Sequence, residues 1–471
     1  LRGNIALPVK KILANLNEQS AGMGNPVPAA GDRRGGKPTP FLAAINAARQ
    51  QHTGTHPAAC DMLLKADISH DAATPVVLGH AVVLSGGSLN GAFGAGFFLG
   101  LQDHGQLPVE PDVVTGVSTG SLQATFVFLA RQPVAPDRQY AWVDRKVPTL
   151  ADLPGAGGQP PLVAGRTNLE DLALAYSITR ESEILKPTPL GGIGVLFTGA
   201  LASLAPLRQR LLGMITPGTI RQVATEACRG RVLLVGVVDV DDGNDYAIDL
   251  TELALMAFDG NATDTRMALV RESYVSAMLA SSSVPLGAMP VTLRYREYDN
   301  DGNVVDIESR QHMFIDGGAR SGVFLPGASD DYDVTLIVNT TLATGPWKPD
   351  NPAIAKKSWL LINLIPRTVS LLENQVYQLS VGQVEYGAGK LRMAYISNSG
   401  IKDGQGQPGE TPGQHRYLGK SCSDWHDQDA LANPIQFYPG YMACLIDYGR
   451  SRGDQQQWNL TKAAEDRAAP R

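Results

Sequence analysis

Asp112-Val-Val-Thr-Gly-Val-Ser-Thr-Gly120 opens as a short apolar strand, turns through a serine flanked by glycines, and leads into a periodic apolar segment from Leu122 to Ala130. Strand, tight turn and helix in that order predict a nucleophile elbow. Gly116-Val-Ser-Thr-Gly120 fits G-x-S-x-G, in which the serine sits on a strained turn and its hydroxyl projects from the sheet edge. Gly116 and Gly120 are small enough to keep that turn free of clashes. With 50 glycines in 471 residues, the bare pattern arises easily by chance. Its weight comes from its place at a strand-to-helix junction.

The same sequence of elements stands just upstream. His80-Ala-Val-Val-Leu-Ser85 suits a buried parallel strand, and Ser85-Gly-Gly-Ser-Leu-Asn-Gly-Ala-Phe-Gly-Ala-Gly96 leads from it into a helix ending near Gly105. Amides at a helix start, unobstructed by side chains, can stabilise a developing oxyanion. Gly86, Gly87 and Ser88 are the expected donors, with Asn90-Gly91 as a supporting tight turn. A dinucleotide loop does not fit, because position 88 is serine and Gly91, Gly94 and Gly96 come in the wrong order; Gly419-Lys-Ser421 has Gln414 where a P-loop needs its first glycine. Further on, Phe314-Ile-Asp-Gly-Gly318 puts Asp316 at a strand end, followed by Gly317 and Gly318. Strand ends on one edge of a parallel sheet converge, so Asp316 can reach Ser118. Asp-Gly is also an ordinary turn signal.

The rest of the chain extends the alternation. Pro217 to Gly230 and Asp264 to Ser281 read as helices, and Arg231 to Asp239, His312 to Ile315 and Asp333 to Val338 as short apolar strands. Such alternation implies a largely parallel sheet covered on both faces. Leu153 to Pro161 and Leu190 to Gly194 read as surface loops. Beyond Gly345 a helix is expected from Lys356 to about Tyr386, then a strand from Leu391 to Ser397, a polar loop rich in Gly and Gln, and a last helix around Tyr441 to Arg450. Residues 1–75 read as an irregular arm with one helix from Pro40 to Gln50.

In order and spacing, Gly86-Gly-Ser-Leu-Asn-Gly91, Gly116-Val-Ser-Thr-Gly120 and Asp316-Gly-Gly318 resemble the glycine-rich oxyanion loop, G-x-S-x-G and D-G-[GA] of the patatin-like phospholipase family. Ala280-Ser-Ser-Ser-Val-Pro-Leu-Gly-Ala-Met-Pro290 resembles the family's small-residue and proline block before the aspartate strand. The resemblance runs from about residue 79 to 345. It implies an α/β fold, three-layer α/β/α with a central, mostly parallel sheet. The expected division is an arm over 1–75, a catalytic domain over 76–345 and a mainly helical extension over 346–471 packed on it. The implied activity is serine acyl hydrolysis of the carboxylic esters of lipids, through a Ser118–Asp316 dyad and an acyl-enzyme, with no cofactor and no metal. The same acyl-enzyme allows transfer to an alcohol. This chain departs from the family in having Ser88 where glycine is usual, Asn90 where a basic residue is usual, and no Asn-Pro after Asp316-Gly-Gly. The Asn-Gly-Ala-Phe-Gly-Ala-Gly run resembles a bacterial subgroup whose members look like envelope lipoproteins, which implies the cell envelope rather than the cytoplasm. Two rival readings stay open: a Ser-His-Asp esterase of the α/β-hydrolase kind completed by His415 or His426, and a lipid-binding module without turnover. His312 begins the Asp316 strand and reads as structural.

Composition narrows the partners. Hydrophobic residues at 43%, charged residues at 18% and a net charge of -6 describe a globular chain without a basic run, so nucleic acid is not expected; the family resemblance implies a lipid or small ester as partner, with peripheral membrane contact. The best apolar run, Trp359 to Ile365, stops at Pro366, far short of a bilayer span. The chain begins at Leu1 with no signal pattern before Pro8, so a removed leader is compatible with it. Cys60, Cys228, Cys422 and Cys444 have no metal-binding spacing. Buried unpaired cysteine is the expectation for them, with Cys422 and Cys444 able to bridge in an oxidising compartment. Nothing in the sequence sets an oligomeric state.

Overall fold

His80–Leu84 and Val113–Val117 lie side by side as parallel strands, and the elements that position the site are laid down on either side of them. The computed structural model describes residues 7–10, 48–49, 52, 54–66, 79–108, 110–140, 161–187, 200–260, 263–298, 310–325, 332–341, 361–388, 390–396, 415–432 and 437–459. In chain order the strands used below are β1 (Leu7–Lys10), β2 (His80–Leu84), β3 (Val113–Val117), β4 (Lys186–Pro187), β5 (Ala200–Ser203), β6 (Val232–Asp239), β7 (Asp245–Asp249), β8 (Leu286–Ala288), β9 (Val291–Tyr298), β10 (Arg310–Asp316), β11 (Asp333–Thr341) and β12 (Lys390–Ile396). The helices are α1 (Pro57–Ala66), α2 (Gly91–Asp103), α3 (Thr119–Phe128), α4 (Asn168–Tyr176), α5 (Ala205–Met214), α6 (Pro217–Cys228), α7 (Leu250–Leu255), α8 (Asp264–Ser281), α9 (Leu361–Gly387), α10 (Cys422–Ala432) and α11 (Pro439–Asp454).

The central sheet runs β10-β9-β1-β7-β6-β3-β2-β11-β12. From β6 to β12 all neighbours are parallel. Beyond β6 the pairings of β7 with β6 and β1, and of β9 with β10, are antiparallel. β10 then returns to pair with β6 past the point where β3 stops. Alternate strand residues feed two cores. Val82, Leu84, Leu233 and Val235 join the cluster containing α2, α3, α6, α8 and α11, whereas Ala81, Val83, Leu234 and Leu336 join one closed by Phe324 and by Val381 and Val384 of α9. A sheet buried on both faces between helices is the three-layer α/β/α architecture. A smaller sheet of β4, β5 and β8 stands beside it.

Three readings of the sequence change. Within the arm read as irregular, β1 is a strand of the central sheet, paired with β7 and β9, because backbone groups inserted between two strands must be satisfied there. With β12 at the far edge, one sheet draws strands from all three expected segments, so boundaries at 75 and 345 cut across it. The cysteines are all bonded: Cys60 of α1 to Cys228 of α6, and Cys422 of α10 to Cys444 of α11, with Cα separations of 5.3 and 5.4 Å. Sequence separations of 168 and 22 hid the first pair entirely, since only packing of α1 on α6 brings it together. The loop at 190–194 and the polar loop before 415 lie outside the described residues, as do nearly all of the loop at 153–161 and most of the helix at 40–50. Among the described residues no helix is long and apolar enough to cross a membrane.

Candidate active site

β3 and β10 abut end to end along one edge of β6. Val117 is level with Gly236, and Asp316 with Val237, so Ser118 and Asp316 leave their strands at adjacent rungs. Ser118 has φ 53° and ψ -125° and caps α3, a conformation in which an L residue is strained. The turn leaves no room at its flanks: a Cβ on Gly116 would run into the carbonyl of Gly120, and one on Gly120 into that of Leu84.

Three consecutive serines at the end of α8 clamp the two residues. The Ser118 amide donates to Ser281 Oγ at 3.0 Å, and Ser281 in turn donates to the Gly236 carbonyl at 2.6 Å. Ser282 Oγ donates to the Ser118 carbonyl at 3.2 Å, and Ser121 Oγ to the same oxygen at 2.6 Å. The Asp316 amide donates to the Ser283 carbonyl at 3.0 Å. The block at 280–290 stands out in the sequence; its role as a clamp does not, because hydroxyl-to-backbone bonds across 163 residues leave no local pattern.

Ser118 and Asp316 are each 4% exposed. Asp316 Oδ1 accepts from the Gly318 amide at 2.7 Å, while Oδ2 is buried with no partner at ordinary hydrogen-bond distance. The Ser118 hydroxyl faces this carboxyl closely enough to lower its pKa, although it stops short of a formed hydrogen bond. Burial outweighs that effect, and with the negative charge of Glu373 nearby it pushes the Asp316 carboxyl up to about 7. Bonds of this kind often tighten only when substrate is bound.

The glycine-rich loop has Gly87 at φ 141° and Ser88 at φ 54°. Gly86, expected among the oxyanion donors, gives its amide to the Gly322 carbonyl at 3.2 Å, so its N–H is already engaged. Among the described residues the Gly87 and Ser88 amides have no such acceptor. Asn90 lies in the 3-10 turn that leads into Gly91 and α2, its amide bonded to the Gly87 carbonyl at 3.0 Å. A residue that the sequence reading missed holds this loop. Asn339 of β11 donates from its amide to Ser85 Oγ at 2.7 Å and from Nδ2 to the Ser85 carbonyl at 2.9 Å, while its Oδ1 accepts from the Gly94 amide at 3.1 Å. Gly317 and Gly318 form the turn after Asp316.

A cleft partly open to solvent begins at Ser88 and Ser118. Its walls are apolar, with Leu122 and Phe126 of α3, Leu172 of α4, Leu207 and Met214 of α5, and Met442 of α11. The apolar lining suits a hydrocarbon chain. Residues 93–101 of α2 pack the core and take no part in these walls.

The histidines considered for a triad have partners of their own. His415 Nε2 pairs with Asp447 Oδ2 at 2.7 Å, and His426 sits edge-on to the rings of Tyr438 and Tyr441. His312 Nδ1 pairs with Asp239 Oδ2 at 2.5 Å. Asp239, Asp241 and His312 could together offer a cation three ligand atoms, although this His312–Asp239 pairing already occupies two of them.

A strained serine at a strand-to-helix turn, an aspartate at the neighbouring strand end and an apolar cleft opening at the serine come together on a three-layer α/β/α fold. The patatin-like phospholipase family model matches residues 82–328, just over half of the chain, and the chain belongs to that family. Family membership supports lipid acyl hydrolase activity. Among solved structures, it is similar to VipD from Legionella pneumophila at 13% identity, over 81% of this chain and 67% of that one, with a TM-score of 0.26. It is also similar to human GIVD cytosolic phospholipase A2 at 11% identity, over 88% of this chain and 63% of that one, with a TM-score of 0.31. The chain thus spans about two thirds of the length of each. No curated protein matches it.

Proposed function

We propose that this protein cleaves carboxylic esters of lipids with Ser118 as nucleophile and Asp316 as its base. The observation that carries the reading is the meeting of the two residues on adjacent rungs of β6, with Asp316 Oδ2 buried and unpartnered and the Ser118 hydroxyl acting on the carboxyl. Asp316 takes the Ser118 proton, and Ser118 Oγ attacks the ester carbonyl. The Gly87 and Ser88 amides hold the oxyanion while the acyl chain occupies the cleft. The proton on Asp316 passes to the departing alcohol. Water, deprotonated by Asp316, then splits the acyl-enzyme and frees the fatty acid. A carboxylate held near pKa 7 is a far better base for this than one near its ordinary 3.8.

Two disulfides support an oxidising compartment, such as a cell envelope, as the place of action. The test is labelling by an alkyl fluorophosphonate. Ser118 is expected to be the single modified serine, and Ser118→Ala to lose both the label and at least about a thousandfold in turnover. Labelling that persists in folded Ser118→Ala overturns the assignment.

A further inference from the structure

The proposed mechanism leaves one side of the dyad unexplained. The cleft that receives the acyl chain is lined by Ser88, Ser118 and Thr119 but by neither Asp316 nor any residue of α9. α9, which comes from the C-terminal part of the chain, lays Tyr377 across the opposite side. The Tyr377 ring covers Gly322, and a Cβ placed on Gly322 would lie 2.6 Å from its Cγ. Its hydroxyl fills the space over Gly86: a Cβ there would overlap Tyr377 Oη and stand 3.0 Å from Ser118 Cβ. A Cβ on Gly318 would also lie 3.0 Å from Tyr377 Oη. The phenol oxygen therefore sits between the glycine-rich loop and the turn that follows Asp316, within a side chain's width of the nucleophile.

Tyr377 is 7% exposed, and among the described residues no group takes its hydroxyl proton. Glu373 stands one helical turn earlier, on the same face of α9. Among the described residues its half-buried carboxylate has no ion-pair or hydrogen-bond partner, and it acts electrostatically on both Asp316 and Tyr377. Burial and the two carboxylates hold the phenol well above its ordinary pKa, so it remains a proton donor at any working pH. Among the described residues no cation acts on Asp316 or Glu373. A nearly buried donor without a partner, beside the reacting atoms and away from the acyl cleft, is placed to meet the other half of an ester.

We propose that Tyr377 and Glu373 form the leaving-group subsite, in which Tyr377 donates a hydrogen bond to the ester's alkoxy oxygen and Glu373 selects uncharged or cationic alcohols over anionic ones. This rests on the Ser118–Asp316 reading. When the bond between the carbonyl carbon and the alkoxy oxygen breaks, its electron pair goes to the oxygen; Tyr377 Oη–H stabilises that charge and keeps its own proton, and the proton from Asp316 completes the alcohol. A phosphate on the departing alcohol would meet an unneutralised carboxylate, whereas a glycerol hydroxyl or an ammonium group would not. The substrate class is then the neutral acylglycerol or a similar uncharged ester.

The test uses the full chain and esters of one acyl acid with 4-nitrophenol, glycerol, choline and glycerol phosphate. Nitrophenolate leaves unaided, so Tyr377→Phe is expected to lower kcat/KM on the glycerol ester by at least about tenfold more than on the nitrophenyl ester. Glu373→Gln is expected to raise the ratio of glycerol phosphate ester to glycerol ester turnover about fivefold to tenfold. Equal losses of Tyr377→Phe on both esters, or an unchanged charge ratio in Glu373→Gln, overturn the proposal. The rate of fluorophosphonate labelling shows whether each variant is folded with an intact elbow. Because fluoride needs no proton to depart, Tyr377→Phe should still label, and a variant that does not is replaced by Tyr377→Leu in the same comparison. Ser118→Ala reports separately on the reaction itself: if it retains turnover, the dyad reading fails, whatever the leaving-group ratios show.

Discussion

Asp316 sets stability against chemistry. Its carboxyl titrates at about 7 instead of 3.8 because it is buried with one oxygen unpartnered. The ionised form is the base, so kcat/KM should rise with pH through an acid limb near 7 in wild type. Glu373→Gln should move that limb down, since a nearby negative charge is removed. Folding has the opposite sign. Between about pH 4 and 7 the folded state holds a proton that the unfolded chain has lost, so this group's contribution to stability is full below 4, falls as pH rises and is flat above 7. Asp316→Asn removes that penalty. It should abolish turnover yet raise stability at pH 8 by roughly 2–4 kcal/mol, measured by urea unfolding at pH 5 and pH 8. An equal gain at both pH values would refute the account. Ser88 is the second strained residue of the site, at φ 54° where glycine is at ease. Ser88→Gly should stabilise the fold by about 1 kcal/mol and retain most of the activity, since the donor is a backbone amide.

The elements meet through a few specific ties. Ser281 at the end of α8 joins the elbow to β6 with one hydroxyl, accepting from Ser118 and donating to Gly236. Ser281→Ala leaves both backbone groups buried without a partner and should destabilise by about 1–3 kcal/mol. Turnover should fall with it, because the clamp fixes the elbow on which Ser118 stands. Thermal unfolding and single-turnover kinetics of the same variant check both effects. The disulfide from α1 to α6 pins a segment from the start of the chain to a helix of the main core. The one from α10 to α11 steadies the helix that carries Met442 into the cleft. Thiol titration of the unfolded chain without reductant should find no free cysteine, and four after reduction. Loss of the Cys60–Cys228 bridge should lower stability by about 2–5 kcal/mol.

Taken whole, the molecule is divided by its sheet. One face carries the helices whose far ends wall the acyl cleft, and the other carries α9, which brings Glu373 and Tyr377 to the dyad. On the proposed mechanism the acyl and alcohol portions of a substrate lie on different layers. Leu207 and Met214 project from α5 into the cleft. A bulkier residue at either, such as Met214→Trp, should shorten the preferred acyl chain without changing the leaving-group ratios. Profiling activity against chain length checks this.

What the sequence determined by itself is local. β2, β3, β6 and β11 are continuous apolar runs, and α8 has clear ends, so each is readable from its own residues. Ser118, the glycine-rich loop and Asp316 are likewise each marked by a neighbouring glycine that the backbone demands. Other elements left weaker traces. β1 is four residues in a broken stretch, β7 is five, and α4 is announced only by Thr167, whose hydroxyl accepts from the Glu170 amide. Tertiary structure alone decided which distant residues meet. Asn339 clasps the loop, the Ser281 to Ser283 block clamps both halves of the dyad, Cys60 finds Cys228, and Gly86 loses its amide to Gly322. Tyr377 becomes part of the site although more than 250 residues separate it from Ser118 in the chain. The physical reason is common to all of them. Periodicity and turn chemistry are set by neighbours a few residues apart, whereas a hydrogen bond or a disulfide across the fold depends on the register of strands and the packing of layers.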